Sequence, residues 1–209
     1  AALAFWGRLD NRDTLAAALG LDPAPLTDAR LVLAAWRRWG SELPEHLLGD
    51  FALAVMDPER QHVFLARDPL GVKPLYYRLD SQCLAFATSV AALRVRRQFP
   101  LTPDPDWAAR YLLRISMSHR QTGYREIVKL PPGHRLTVDA TGREGLRRWH
   151  RWRDDPPAAR RRDSRWVDGY RAVLEESIRC RMASAYPLAT ENSGGLDSAA
   201  VLGMGSALA

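Results

Sequence analysis

Hydrophobic spacing changes period along the chain, and each change marks an element. The run Ala2-Leu3-Ala4-Phe5-Trp6 reads as a strand. Asn11 stands where it can cap a helix that carries Leu15 and Leu19 on one side and stops at Gly20. Asp28 stands likewise before a helix that runs to Gly40. There Val32, Ala35, Trp36 and Trp39 fall on one stripe, so the tryptophans are expected in the core rather than on a ligand platform. From Phe51 the period shortens. Residues 51–56 and 62–67 predict a hairpin around Asp57-Pro58-Glu59-Arg60, with Pro58 at the second turn position. A turn over residues 68–71, then Leu75-Tyr76-Tyr77 and residues 83–87, predict a small antiparallel sheet. Asp104 and Pro105 open a helix through Trp107, Tyr111, Leu112 and Ile115. Residues 133–138 and 144–149 predict a last strand pair around Asp139-Ala140-Thr141-Gly142.

Asp154-Asp155-Pro156-Pro157, set among arginines, reads as a linker, after which Ser164 can cap a long helix. Its expected apolar face is Val167, Tyr170, Leu174, Ile178 and Met182. Next comes a short strand over residues 186–191, the loop Ser193-Gly194-Gly195-Leu196-Asp197-Ser198, and a helix from Ala199 to Leu208 that Gly203 and Gly205 weaken. A helix N-terminus offers unpaired backbone N–H groups and the positive end of a dipole, which together hold phosphate. Gly194 and Gly195 let oxygens approach, and the hydroxyls of Ser193 and Ser198 can donate to them. A carboxylate beside phosphate needs a cation between the two, so Asp197 points to Mg²⁺. The plainer reading of the same string is a glycine turn with polar helix caps. A Walker A loop is excluded, because no lysine precedes the last serine.

The loop resembles the pyrophosphatase loop of the ATP-dependent amidotransferases. Upstream, Gly49-Asp50-Phe51-Ala52-Leu53-Ala54, then Ala66-Arg67-Asp68-Pro69-Leu70-Gly71-Val72-Lys73-Pro74-Leu75-Tyr76-Tyr77, and later Leu130-Pro131-Pro132-Gly133-His134 stand in the order of the asparagine synthetase B family. That resemblance, which covers nearly the whole chain, implies an α+β then α/β architecture. A class II glutamine amidotransferase domain of antiparallel sheets and helices (residues 1–152) would be followed by a linker (153–163) and the start of a parallel-sheet ATP-pyrophosphatase domain (164–209). It implies ATP and Mg²⁺ as cofactors, ATP binding at Ser193, Gly194, Gly195, Leu196, Asp197 and Ser198, and Asp197 as the metal ligand. The implied reaction adenylates a small-molecule or peptide carboxylate, releases pyrophosphate, and passes the acyl group to ammonia from glutamine or to an internal amine. A homodimer and a cytoplasmic location are further expectations.

The first domain departs from the family it resembles. The amino-terminal cysteine nucleophile has no counterpart in this chain, since Cys83 falls in an expected strand and Cys180 in an expected helix. No catalytic residue is therefore assigned. Trp6-Gly7-Arg8-Leu9-Asp10-Asn11 resembles the family's Asn-Gly-Glu-Ile-Tyr-Asn, so the amide side chain of the oxyanion hole becomes Trp6 and an acid becomes Arg8. Losing one such donor costs about 3 kcal/mol of transition-state stabilisation. Gly7, Arg8 and Asp28 occupy the glutamine-binding positions, Asp28 matching the acid that holds the ammonium, although an N-cap explains it equally well. These changes are shared by relatives with a degenerate glutaminase, the lasso-peptide and β-lactam-type cyclases, which stand as the alternative. Arg67, Asp68, Gly71, Lys73 and Pro74 are read as structural: a buried pair or turn cap, a tight turn and an edge position.

Composition adds limits. At 209 residues and 46% hydrophobic content the chain can bury a core, and no apolar run reaches the length of a membrane span. Cys83 and Cys180 lack metal-ligand spacing and are expected as buried free thiols. A net charge of +6 brings nucleic acid into view, with the densest basic stretch at Arg147-Arg148-Trp149-His150-Arg151-Trp152-Arg153 and Arg160-Arg161-Arg162. No groove-reading motif accompanies it, so a solvated linker is the expectation and a non-enzymatic basic binding module the remaining alternative. Both ends read as cut from a longer chain, with the residues that choose the carboxylate expected beyond Ala209.

Overall fold

The computed structural model describes all residues except 82, 96–99, 116–117, 153–163 and 185, together with the side chain of Ser164. The linker reading falls on residues 153–163, and the Ser164 cap on that side chain, so both lie outside the described residues. The chain divides into two compact units, Ala1–Trp152 and Arg153–Ala209.

In the first unit, strand β1 (Ala2–Leu9) is followed by helices α1 (Arg12–Leu19) and α2 (Asp28–Trp39), then a 3-10 helix, Gly40–His46. Strands β2 (Gly49–Asp57), β3 (His62–Arg67), β4 (Tyr76–Leu79) and β5 (Leu84–Ala87) come next, then helices α3 (Val90–Arg94) and α4 (Pro105–Leu112). Strands β6 (Val128–Lys129), β7 (His134–Asp139) and β8 (Glu144–Arg148) close the unit. A five-stranded sheet has the order β1-β2-β3-β7-β8 and a three-stranded sheet the order β5-β4-β6. Every pairing is antiparallel.

Strand alternation explains how three layers form. Phe51, Leu53 and Val55 of β2, with Phe64 and Ala66 of β3, pack against Leu15, Leu31, Val32, Ala35 and Trp36 of the two helices. The intervening Ala52, Ala54 and Leu65 face the other way and meet Leu75, Tyr77, Leu130, Leu136 and Val138. β2 is thus covered on both faces, which is why it reads as an unbroken apolar run. Its two alanines let the second sheet come close.

The turn between β3 and β4 is built on one buried cation. Arg67 is 3% exposed. Its Nε donates to Lys73 O at 2.7 Å, one Nη to Leu130 O at 2.8 Å and the other to Gly71 O. Burial pulls this guanidinium below its ordinary pKa, and the Asp68 carboxylate opposes that pull. Asp68 is a turn cap: its carboxylate accepts from Val72 N and Lys73 N at 2.9 and 3.0 Å. Its carbonyl accepts from Gly133 N at 2.9 Å, so the 67–74 and 130–134 segments are laced together.

Several expectations are corrected. Asn11 precedes α1 but makes no side-chain cap; instead its amide accepts from Leu48 N and donates to His46 O, both at 3.0 Å. Thr27, not Asp28, caps α2. The helix expected to reach Ile115 ends at Leu112, and Tyr111, Leu112 and Ile115 are exposed. Neither cysteine is buried; both are half-exposed thiols outside any disulfide.

The largest correction concerns the second unit. It comprises α5 (Ser164–Met182) and α6 (Leu196–Leu208), and no strand occurs among its described residues. The α/β part of the expected fold, a parallel sheet beginning with residues 186–191, is overturned. A strand exists by sharing its N–H and C=O groups with a neighbour, and no second extended segment is described there to pair with it. The stripe on α5 also differs from expectation: Leu174, Ile178 and Met182 are half-buried, whereas Val167 and Tyr170 are exposed. Two helices offer too little surface to cover that face.

Gly71 turns with φ +67°, and a Cβ there would stand 2.7 Å from Pro132 Cγ and 2.9 Å from Arg67 Cζ. Gly142 has φ +82° with open space around it. Both Gly→Ala changes carry left-handed strain of about 1 kcal/mol, and Gly71→Ala adds a clash with the Arg67 knot for a total of about 3 kcal/mol. Urea unfolding of the two variants should show that difference; equal destabilisation would refute the knot.

Candidate functional site

Gly7, Arg8 and Asp28, the positions expected to bind glutamine, lie where β1 ends and two helices begin. Gly7 lies in β1 opposite Phe51, and a Cβ on it would come within 2.1 Å of the Asp50 carbonyl oxygen. Glycine is required there by close approach of the backbones. Arg8 follows, and its Nη2 donates to the Asp10 carboxylate at 2.7 Å. Asp28 opens α2 as an acid in its first turn. One of its oxygens accepts from Leu9 N at 2.9 Å, and the other is bonded by the Arg12 guanidinium. Arg12 is held there by further bonds to Pro23 O at 3.1 Å and Leu26 O at 2.6 Å.

The structure therefore brings Gly7, Arg8 and Asp28 together and adds two residues that sequence reasoning missed, Arg12 and Asp10. Arg8 pairs with Asp10 and Arg12 with Asp28, so a substrate ammonium reaching Asp28 would meet a guanidinium already on that carboxylate. No local pattern signals Arg12, because its partner lies 16 positions on. Thr27 could have been found, since a threonine directly before an acid is an ordinary helix start.

Trp6 is 45% exposed and carries the Lys73 ammonium 4.6 Å from its ring centroid. With Ala4, Ala52, Ala54, Leu75 and Phe86 it lines a cleft of about 280 Å³. The side chain at this position offers a π-face to a cation rather than an amide to an oxyanion.

The Ser193–Ser198 positions form a separate site in the second unit. Gly194 has φ +80°, and Gly195 is the extended N-cap of α6 with no side-chain cap. The first-turn N–H groups of α6 thus have no capping side chain. Gly194 N donates to Asn192 Oδ1 at 2.9 Å, and the Ser198 hydroxyl to the same oxygen at 3.0 Å. Ser193 and Ser198 hydroxyls lie 3.1 Å apart. Asn192 is the residue sequence reasoning omitted; as a side chain that bonds backbone two residues on, it is a recognisable turn former. A Cβ on Gly194 would meet nothing within 4 Å, so there is open space around this glycine. Leu196 and Asp197 lie in the first turn of α6, both exposed. Among the described residues, no group of three or more His, Cys, Asp or Glu could hold a metal ion.

A family model for the glutamine amidotransferase domain matches residues 1–150. Amidase chry2 of Gibberella zeae is 33% identical over 187 residues, covering 87% of this chain and 27% of that protein. Asparagine synthetase [glutamine-hydrolyzing] 3 of Bacillus subtilis is 27% identical over 176 residues, covering 84% and 28%. This chain spans about a quarter of the length of these curated relatives. The glutamine phosphoribosylpyrophosphate amidotransferase of B. subtilis, solved with ADP and GMP, superposes with a TM-score of 0.50 at 16% identity, covering 99% of this chain and 44% of that one. That likeness speaks for the fold alone. No helix among the described residues is long and apolar enough to cross a membrane.

If Arg12 occupies Asp28 in solution, a double-mutant cycle with Arg12→Gln and Asp28→Asn should give a coupling of about 1 kcal/mol in chemical unfolding. Additive effects of the two changes would show that Asp28 is unclaimed.

Proposed function

Residues 1–150 make this chain a member of the glutamine amidotransferase domain family, and from that premise we propose that it works within an ATP-dependent amide-forming ligase whose glutamine domain no longer hydrolyses glutamine. The distant relation to glutamine-hydrolysing asparagine synthetases supports the ligase half of this reading. The observation that carries the other half is the Arg12 guanidinium seated on the Asp28 carboxylate. Glutamine's ammonium would have to displace a cation already held by the Pro23 and Leu26 carbonyls, beside the further positive charge of Arg8. Trp6 adds to the case. With Lys73 lying over its ring, that position supplies no side-chain amide to a developing oxyanion.

In this reading residues 164–209 belong to the ATP-using part of the protein. ATP would supply a leaving group that activates a carboxylate toward an amine. The chain's own contribution is positional: the first-turn N–H groups of α6 and the Ser193 and Ser198 hydroxyls hold phosphate oxygens, and Asp197 holds Mg²⁺ against them. Open space around Gly194 is the feature that supports phosphate contact here. The amine is then an internal one, or ammonia from solution, in place of glutamine nitrogen.

The complete protein is expected to exchange radiolabelled pyrophosphate into ATP when given its carboxylate, and Gly194→Val to lower that exchange on the order of 100-fold by misplacing the loop. Glutamate release from glutamine should stay at background while added amine supports turnover. Glutamate formed in step with ATP cleavage would overturn the inactive-domain half, and absence of exchange across a panel of carboxylates would overturn the ligase half.

A further inference from the structure

One cleft of the first unit is not part of either site above. It measures about 620 Å³ and lies on the side of the three-stranded sheet away from the main core. Strand register sets its floor. Tyr76 of β4 and Lys129 of β6 are direct cross-strand partners, so their side chains leave the same face of the sheet. Tyr77, next along, points the other way and is buried against the five-stranded sheet. Trp107 of α4 and Tyr124 supply the walls, and a Cβ on Gly123 would sit 3.5 Å from the Trp107 ring, which keeps that wall close. The remaining polar rim includes His119 and Gln121.

The lining is unusual in charge as well as shape. No Asp or Glu contributes to it, and Lys129 carries no ion pair among the described residues. Burial first, and then the charge of Arg67, hold the Lys129 ammonium below the usual lysine range, so an arriving anion would relieve an existing cost. The Arg94 guanidinium stands 5.4 Å over the Tyr124 ring and adds positive potential. Thr122 is already spent within the loop: its hydroxyl hydrogen bonds involve Ile127 O at 2.8 Å, Tyr124 O at 2.9 Å and Tyr124 N at 3.2 Å. Trp107 stacks on Tyr111 with ring centroids 5.1 Å apart, leaving the indole braced rather than free to swing into the cleft.

We propose that this cleft is a binding site for a small planar aromatic acid, its ring held between Tyr76, Trp107 and Tyr124 and its carboxylate against Lys129. A cavity of this size suits one such molecule. Aromatic walls favour a flat apolar body, and a lysine with no acid among the lining residues favours a single anionic group over a neutral or cationic one.

The test is ¹⁹F NMR titration of the chain with 4-fluorobenzoate, its neutral isostere 4-fluorobenzamide, and benzoate against cyclohexanecarboxylate as competitors. Saturable benzoate binding is expected, with the amide at least about tenfold weaker and benzoate the better competitor. Lys129→Gln should reduce benzoate affinity by a similar factor and leave the weak amide binding unchanged. Absence of benzoate binding, equal affinity for acid and amide, or equal competition by the saturated ring would each overturn the proposal. These comparisons need only the unaltered chain, so a Lys129→Gln variant that fails to fold does not decide the outcome.

Discussion

A single buried guanidinium organises the first unit. Arg67 ends β3, and its three donors reach the carbonyls of Gly71, Lys73 and Leu130, groups with no strand partner of their own. Burying a cation this deeply costs several kcal/mol, and the cost is offset only because the same bonds satisfy carbonyls that would otherwise be stranded. Those bonds also fix where the chain goes next. The turn at residues 68–71 leads into β4, and the Leu130 bond draws the segment after β6 to the same point. Both sheets are therefore pinned at one corner, and Tyr76, Lys129 and the aromatic cleft take their places from it.

The opposite corner has a different logic. There β1, α1 and α2 converge, and the charges at their ends neutralise one another: Arg8 with Asp10, Arg12 with Asp28. In a site meant to receive an α-amino group, an acid would be kept open and the substrate would complete the pairing. Here the pairing is complete without it. The family's scaffold is retained, with the acid at this corner already paired to a neighbouring guanidinium.

The second unit rests on less. α5 and α6 pack on each other, close enough that a Cβ on Gly205 would lie 3.9 Å from Ile178 Cγ2, and no described residue of the unit is fully buried. The Ser193–Ser198 loop nevertheless keeps an ordered local geometry, because Asn192 and the two serine hydroxyls tie it to itself. Local hydrogen bonds suffice to shape a turn at a helix start; a sheet needs partners from elsewhere in the chain.

That distinction runs through the whole molecule. Sequence by itself determined what depends on near neighbours: the stripe of Val32, Ala35 and Trp36, the hairpin around Pro58 and the turn at Gly71, all set by periodicity and backbone angles within a few residues, whereas the last helix, expected from Ala199, begins three residues earlier at Leu196. It also carried the family's motifs, hence the antiparallel class of the first unit. Tertiary structure alone decided the pairings made at long separation, such as Arg12 on Asp28, Arg67 on Leu130 and Tyr76 beside Lys129. It likewise decided that residues 186–191 form no strand and that Tyr111 and Leu112 stay exposed. A side chain's partner across many residues is chosen by packing and desolvation in three dimensions, and no local spacing encodes it.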